Sequence, residues 1–230
     1  MSIADNLTEL KKELNSVNVK LIAVSKTKSN EDIMEAYEAG QRIFAENQVQ
    51  ELADKHEQLP KDIEWHLVGH LQTNKVKYIA PFISLIQSVD SLKLLKEIDK
   101  QAQKNDRVID CLLQIYIADE ETKFGLGFDE AIELLRSEEY KELQHIRVVG
   151  VMGIATNTEA EKQIKEEFYE LKTFFDGLKQ SFFRNDSSFK EISMGMSGDY
   201  KIAVEQGSTM VRVGSTIFGK RVIPHWKLKE

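Results

Sequence analysis

The architecture of this chain is indicated by two stretches near its C-terminus: Ser193-Met-Gly-Met-Ser-Gly198 and Ser208-Thr-Met-Val-Arg-Val-Gly-Ser-Thr-Ile-Phe-Gly219. Each begins as a short apolar strand and ends in small residues whose backbone N–H groups suit a phosphate. They are the last two strands of a chain in which strands and helices alternate, which is where a (β/α)8 barrel usually binds phosphate. The sequence therefore predicts an α/β protein, a single (β/α)8 TIM barrel with an anion site at its last two strand–helix turns.

The rest of the chain fits the same barrel. Eight short apolar segments alternate with helical segments, and no linker or low-complexity tract divides residues 1–230. Alternation of this kind predicts parallel strands. No Gly-x-Gly-x-x-Gly turn follows the first strand, which argues against an open dinucleotide-binding sheet, although an open sheet of eight strands stays the alternative. We expect one domain over residues 1–230, with a short N-terminal helix at about 3–14. The strands are expected at residues 19–24, 42–45, 64–69, 83–88, 108–117, 146–152, 189–194 and 209–213.

The composition restricts the class of protein. Hydrophobic residues make up 41% and charged residues 30% of the 230 residues, which is ordinary for a soluble globular protein. The formal net charge of −7 argues against a broad nucleic-acid-binding surface, which needs clustered Lys and Arg. Cys111 is the only cysteine, so an intramolecular disulfide cannot form and a reducing compartment is expected. With no signal peptide and no apolar stretch of membrane-spanning length, we expect a cytoplasmic protein.

The first strand ends in a basic turn. Val19-Lys-Leu-Ile-Ala-Val24 is followed by Ser25-Lys-Thr-Lys28. Closure of a barrel brings the first strand beside the eighth, so Lys26 is expected near the predicted phosphate turns. A lysine beside a phosphate site is the minimum needed to hold pyridoxal phosphate as a Schiff base. The alternative is a solvated turn lysine, which is common just past a buried strand.

The two C-terminal turns offer hydrogen-bond donors to an anion. Ser193, Gly195, Ser197 and Gly198 are able to form a backbone nest with serine hydroxyls as further donors. Gly214-Ser215-Thr216 is able to start a short helix whose N-terminus faces the anion. The alternative is that these turns need Gly and Ser only for their conformation. Because the turns occupy the last two barrel positions together, phosphate binding is favoured.

Arg212 is a charged residue within the apolar eighth strand. Its side chain either extends to solvent at the strand end or faces the barrel mouth as a fixed cation. A guanidinium directed at a pyridine nitrogen cannot readily accept a proton, so that nitrogen would stay unprotonated. The ring would then be a weaker electron sink than one paired with a carboxylate.

Other chemistries find little support in the sequence. His66 and His70 are four residues apart, but the first lies in a predicted strand and no third ligand follows, so no metal site is predicted. No Ser-His-Asp or Cys-His arrangement stands out. Glu46 and Asn47 end the second strand, where they either reach the barrel mouth or cap the next helix.

Five motifs occur in order along the chain: Ala23-Val-Ser-Lys-Thr-Lys28, Glu46-Asn-Gln-Val-Gln-Glu51, Trp65-His-Leu-Val-Gly-His-Leu-Gln72, Ser193-Met-Gly-Met-Ser197 and Ser208-Thr-Met-Val-Arg-Val-Gly-Ser-Thr-Ile-Phe-Gly219. In this order they resemble the pyridoxal phosphate homeostasis protein family, also called the YggS/PROSC family, over nearly the whole chain. Three departures (Ser29 for a usual proline, Ala45 and Gln48 for the usual Gly and Tyr) affect the loop after the second strand and leave the lysine and phosphate motifs intact.

The resemblance implies a fold and a ligand. The fold would be a barrel similar to the N-terminal domain of alanine racemase, with pyridoxal 5'-phosphate (PLP) held as a Schiff base on Lys26. Arg212 would lie near the pyridine nitrogen, and Asn47 would line the pocket. The phosphate would lie among Ser193, Ser197, Gly214 and Ser215.

Three functions are compatible with these residues. The first is the role the resemblance implies, a carrier in vitamin B6 homeostasis that holds PLP and hands it to apo-enzymes without established catalysis. The second is a small amino-acid racemase, which needs a second proton donor that normally comes from another domain, and we expect no such domain after Gly219. The third is a cofactor-free aldolase-type enzyme using Lys26, which would want a carboxylate at another strand end. We therefore expect a monomeric, non-catalytic carrier with no metal, nucleic-acid or membrane partner.

Overall fold

Eight parallel strands form a closed barrel in the computed structural model, which describes residues 2–119 and 124–219. The strands follow one another in chain order, and the eighth pairs back to the first. The predicted (β/α)8 barrel is therefore confirmed, and the open sheet is wrong. Residues 1, 120–123 and 220–230 of the predicted domain lie outside the described residues. The strands are β1 Lys20–Val24, β2 Ile43–Glu46, β3 Glu64–Leu67, β4 Leu85–Val89, β5 Ile109–Ile115, β6 Ile146–Gly153, β7 Glu191–Met196 and β8 Met210–Val213.

Helices connect the strands and cover the outside of the barrel. The first, at Ile3–Asn15, is one residue longer than the helix expected at about 3–14. None of the helices within the described ranges combines the length and the apolar character that crossing a bilayer requires. The helices are α1 Ile3–Asn15, α2 Asn30–Glu38, α3 Val49–Gln58, α4 Val76–Ile79 (after a 3₁₀ turn at Thr73–Lys75), α5 Leu92–Lys104, α6 Phe128–Arg136, α7 Glu138–Lys141, α8 Glu161–Ser181, α9 Tyr200–Glu205 and α10 Ser215–Phe218.

The strands are buried on both faces, which explains why they read as continuous apolar runs rather than alternating patterns. Outward-facing strand residues pack against the helices in one large core. Inward-facing residues fill the barrel interior as a second, smaller cluster. Successive residues of a strand point to opposite faces, so Ile22 belongs to the interior cluster while Leu21 and Ala23 belong to the outer one. The interior is a packed core, and it is the ends of the strands that are open to ligands.

The pairing of β1 with β8 closes the barrel and sets the position of Lys26. Ile22 lies opposite Arg212 and Ala23 lies opposite Val213. Because the strands are parallel, both C-terminal ends reach the same face of the barrel. The turn after β1, which carries Lys26, is therefore a direct neighbour of the turn after β8, which begins at Gly214.

The helix that follows the Lys26 turn begins with a serine cap. The Ser29 hydroxyl accepts a hydrogen bond from the Asp32 backbone N–H at 3.2 Å. We expect Ser29→Ala to lower the free energy of unfolding by about 1 kcal/mol, because one N–H of the first helical turn loses its partner. Urea denaturation measures the loss. Ser181→Ala, at an exposed serine whose side chain makes no hydrogen bond to the described residues, is the control. Equal losses in both variants would contradict the capping role.

Candidate functional site

The candidate site lies on the rim formed by the C-terminal ends of β7, β8, β1 and β2, which are neighbours around the barrel. Lys26 lies two residues past the end of β1 and is half-buried. Ser197 directly follows β7, Gly214 directly follows β8 and Asn47 directly follows β2. The structure therefore brings four of the residues singled out in the sequence to adjacent positions on one face.

Direct contacts join three of these turns into one unit. The backbone N–H of Gly214 donates to the Ser197 hydroxyl at 3.2 Å, which connects the β7 and β8 turns. A Cβ atom at Gly214 would lie 3.0 Å from the carbonyl oxygen of Val24, so the β8 turn packs tightly on the end of β1. The Lys28 ammonium donates to the carbonyl of Phe218 at 2.9 Å and so holds the C-terminal end of α10. The lysine turn and the two small-residue turns are fixed relative to one another.

The small residues of the two turns have different reasons to be small. Gly195 has φ +94°, and a Cβ atom there would lie 2.5 Å from the Cβ of Ala203, so both conformation and packing require glycine. At Gly198, by contrast, a Cβ atom would find no other atom within 4 Å. Ser215 at the start of α10 is exposed. Exposed donors beside open space suit an anionic group.

Arg212 and Ser193 lie below the rim, inside the barrel. The Arg212 guanidinium donates through Nη1 to the Ser193 hydroxyl at 2.7 Å and through Nη2 to the Gly153 carbonyl at 2.9 Å. The Ser193 hydroxyl donates in turn to Oε1 of Gln87 at 2.6 Å. Burial lowers the pKa of Arg212 to about 10, so the side chain remains a cation at neutral pH. The Ser193 hydroxyl thus has two partners inside the barrel, Gln87 and Arg212. Its contact with a phosphate stays a prediction.

The interior network continues to β3. Nε2 of Gln87 lies 2.9 Å from Nδ1 of His66. Burial lowers the pKa of His66 to about 3, so its ring is neutral and Nδ1 accepts the hydrogen bond. The sequence reasoning did not identify Gln87. Its signal was a polar residue in the middle of the fully buried strand Leu85–Val89.

A buried ionic cluster, which we call the Lys55 cluster, lies beside the Lys26 turn and consists of Ser25, Glu46, Glu51 and Lys55. The Lys55 ammonium donates to Glu46 Oε1 at 2.8 Å, to Glu51 Oε1 at 2.7 Å and to the Ser25 carbonyl at 2.9 Å. The Ser25 hydroxyl donates to Glu46 Oε1 at 2.6 Å. The sequence reasoning missed Lys55, although its place between Leu52 and Leu59 on the buried stripe of α3 was a signal.

Burial makes Glu46 a pH-dependent contributor to stability. Its buried position raises the pKa of the Glu46 carboxyl from 4.5 to about 7, against the attraction of Lys55. An acid with a higher pKa in the folded state binds more protons there, so its contribution to the free energy of unfolding falls as the pH rises from 4.5 to about 7. In the wild type we expect this effect to lower the free energy of unfolding by about 1–3 kcal/mol over this pH range, and in Glu46→Gln we expect that decrease to be absent.

Chemical denaturation at a series of pH values measures the effect of Glu46. The quantity of interest is the change in unfolding free energy with pH and not its value at one pH, because the substitution also alters hydrogen bonds within the cluster. Glu57→Gln, at an exposed carboxylate on α3, the helix that carries Lys55, is the control. A wild-type slope in the Glu46 variant would contradict this account.

Asn47 borders a cavity on the same face of the barrel. The cavity has a volume of about 400 Å³ and is also lined by His70, Gln72 and Tyr78. Two other cavities, of about 780 and 630 Å³, open at the opposite end of the barrel, around Lys20. The C-terminal face is where barrel proteins place their active sites, so the cavities at the N-terminal end do not compete with the rim as the candidate site.

Comparison with known proteins places the chain among relatives of similar length. The model of the family described as "Alanine racemase, N-terminal domain" matches residues 1–222. A pyridoxal phosphate homeostasis protein from Aquifex aeolicus is 40% identical over 204 residues, which cover 88% of this chain and 87% of the relative. A protein of the same name from Pasteurella multocida is 35% identical over 233 residues, which cover 96% and 98%.

Two solved structures of one related protein and one of an alanine racemase also superpose on this chain. PipY of Synechococcus elongatus, solved without PLP, superposes with a TM-score of 0.88 at 35% identity and covers 95% of this chain and 100% of PipY. PipY with PLP bound superposes with a TM-score of 0.85 over the same shares of the two chains. An alanine racemase from Clostridium difficile superposes with a TM-score of 0.71 at 15% identity, covering 95% of this chain and 58% of the racemase. That last likeness shows a shared fold alone.

Proposed function

This chain belongs to the pyridoxal phosphate homeostasis protein family and carries the alanine racemase N-terminal domain, and from this premise we propose that it binds PLP as a Schiff base on Lys26. We further propose that it is a carrier of the cofactor in vitamin B6 homeostasis and not an enzyme. Its partners are then PLP and the apo-enzymes that receive it, and we expect it to act as a monomer in the cytoplasm.

The observation that carries the proposal is the junction of the lysine turn with the two small-residue turns. A phosphorylated aldehyde needs a primary amine and an anion site at a fixed separation, and the contact of Gly214 with Val24 fixes that separation. Lys26 supplies the amine, while Ser197, Gly214 and Ser215 supply donors for the phosphate. The residues present thus fit PLP, and PipY, which is 35% identical, has been solved with PLP bound.

The buried guanidinium suits the pyridine ring. Arg212 uses two of its N–H groups on Ser193 and Gly153, and a guanidinium has further N–H donors. We propose that one of these faces the pyridine nitrogen, with Ser193 and Gly153 holding the guanidinium in place. Bound PLP supplies an electron sink for amino-acid chemistry. A guanidinium does not give its proton to the pyridine nitrogen, so the nitrogen stays unprotonated and the ring is a weaker electron sink. Such a pairing supports a carrier that holds PLP without turning over amino acids.

The two histidines His66 and His70 also support the carrier over the racemase. Racemisation needs a group that transfers a proton on the face opposite Lys26. His66 is neutral and bonded to Gln87 inside the barrel. His70 is bonded through Nδ1 to Asp90 at 3.1 Å, and its ring stacks on Phe124. Both rings are held in other contacts.

The test is the visible absorption spectrum of the purified protein before and after borohydride, followed by peptide mass mapping. A reducible chromophore whose mass maps to Lys26 would support the proposal. A protein that stays colourless after PLP is added would overturn it and would favour the cofactor-free barrel enzyme. Incubation of the PLP-loaded protein with L-alanine, with a chiral assay for D-alanine, separates the carrier from the racemase, since only the racemase forms the D-enantiomer.

A further inference from the structure

Both residues that flank Lys26 are held by the Lys55 cluster. On one side, the Ser25 carbonyl accepts from Lys55 and the Ser25 hydroxyl donates to Glu46. On the other side, the Thr27 backbone N–H donates to Glu51 Oε1 at 2.6 Å. The backbone immediately before and after the lysine is therefore tied to charged groups on β2 and α3.

The turn that these contacts hold is conformationally unfavourable. Thr27 has φ +66°, in the left-handed region that β-branched residues rarely adopt. Such a residue keeps this conformation only where its surroundings impose it. The Thr27 side chain is exposed, so packing of that side chain does not impose the conformation. The turn is closed by a hydrogen bond from the Lys28 N–H to the Ser25 carbonyl at 3.0 Å, and the hydrogen bond from the Thr27 N–H to Glu51 ties it to α3.

Burying the charged groups of this cluster costs free energy, because they lose their contacts with water. The side chains of Lys55 and Glu46 are 7% and 0% exposed, and Glu46 Oε2 has no hydrogen-bond partner among the described residues. Apolar residues of similar volume would often stabilise a fold equally well, whereas a buried ion pair restricts which conformation is adopted. This pair contacts the backbone before Lys26, at Ser25, and Glu51, the other partner of Lys55, contacts it after Lys26, at Thr27.

We propose that Glu51 and Lys55 are positioning residues for Lys26, which hold the strained Ser25–Thr27 backbone so that the lysine amine meets the PLP aldehyde in a single orientation. This inference rests on the proposed function. Glu51 and Lys55 act through the backbone of the turn and do not themselves contact the cofactor. Without the cluster, the turn keeps its own hydrogen bond from Lys28 to Ser25 but loses its ties to β2 and α3, and only a fraction of molecules presents the amine correctly.

The first test is Glu51→Ala. The Glu51 side chain is 25% exposed, and after its removal Lys55 still pairs with Glu46. The readout is the rate at which added PLP becomes covalently attached to apo-protein, trapped with borohydride at intervals and measured by intact mass. We expect attachment to be about ten-fold slower, since the rate scales with the fraction of molecules in the competent conformation. The thermal midpoint of the apo-protein is recorded in parallel.

Two further variants separate positioning from a general loss of structure. Asp54→Ala removes the same charge from an exposed position of the same helix and should attach PLP at the wild-type rate. Glu51→Gln keeps an oxygen that can accept from the Thr27 N–H and should recover most of the rate. The double variant Glu46→Gln/Lys55→Met removes the buried ion pair and the donor to the Ser25 carbonyl while Glu51 stays in place, so attachment should again be slower than in the wild type.

The outcomes distinguish this inference from the function on which it rests. Slow attachment in Glu51→Ala with recovery in Glu51→Gln would support positioning. Wild-type rates in both Glu51→Ala and the double variant would overturn it, while the proposed function would stand. If the wild-type protein attaches no PLP, the proposed function itself fails and the positioning role fails with it.

Discussion

Lys26→Ala is expected to abolish covalent retention of PLP while the barrel stays folded. Alanine has no amine with which to form the Schiff base, so borohydride should leave no mass increment on the protein. Lys26 lies past the end of β1 and outside both core clusters, so the free energy of unfolding should change by no more than about 1 kcal/mol. Intact mass after borohydride treatment and urea denaturation are the two measurements.

The neighbouring lysine gives the control for this substitution. Lys28 lies two residues further along the same turn, and its ammonium donates to the Phe218 carbonyl. Lys28→Arg removes a primary amine but keeps a cation for that carbonyl, so the label on Lys26 should persist. A reducible adduct that survives in Lys26→Ala would move the attachment to another lysine and would overturn the assignment.

Arg212→Ala is expected to have the second-largest effect, on the affinity for PLP. Loss of a hydrogen bond from a charged group costs about 1.5–3 kcal/mol, which corresponds to a roughly 10- to 100-fold weaker affinity. The covalent link should still form, because the amine of Lys26 is untouched. The apo-protein should also lose about 2–4 kcal/mol of stability, since a buried side chain is removed and the Ser193 hydroxyl loses a donor.

Equilibrium dialysis of PLP against the variant, at a temperature where the variant is folded, measures the affinity. The control is Arg147→Ala, which removes an arginine at the opposite end of the barrel, where it pairs with Asp110. That variant should bind PLP as the wild type does. An unchanged affinity in Arg212→Ala would contradict the contact with the pyridine nitrogen, whatever the effect on stability.

Much of the fold could be predicted because apolar runs and small-residue turns are local signals. Each strand was expected within a few residues of its position, and barrel closure followed from the number of strands. The helix at Glu138–Lys141 was not expected, because four residues are too few to show a helical period and only Tyr140 among them packs against the core. Its local mark is the cap Ser137 followed by two glutamates, a pattern that a turn shows as well.

The burial of Ser193 inside the barrel could not be predicted, because it depends on the residue at which β7 ends. The sequence suggested that the seventh strand ends at about residue 194, which would leave Ser193 and Ser197 near the same turn. The strand continues to Met196, with an irregularity in its pairing to β8 between Ser193 and Met196. Ser193 therefore lies inside the barrel, bonded to Arg212, whereas Ser197 reaches the rim.

The Lys55 cluster could not be predicted for a different reason. Lysine on a helix is nearly always solvated, and only the pairing of the barrel shows that the Lys55 ammonium lies against the end of β1. Its partners, Ser25 and Glu46, are distant in sequence and come together because Val24 lies opposite Ala45 in the sheet. The periodicity of α3 marks Lys55 as a buried position, but it does not show which residues the Lys55 ammonium pairs with.

Because β1 pairs with β8, the proposed site is complete only after the last strand of the barrel has been made. Ile22 lies opposite Arg212, 190 positions later in the chain. At roughly 5–20 residues per second, a ribosome needs about 10–40 s to make the segment between them. Throughout that interval a nascent chain carries the reactive amine but neither the closed ring nor the β8 turn. On the proposed function, a chain that ends before Met210 does not bind PLP. Only a completed barrel binds the cofactor.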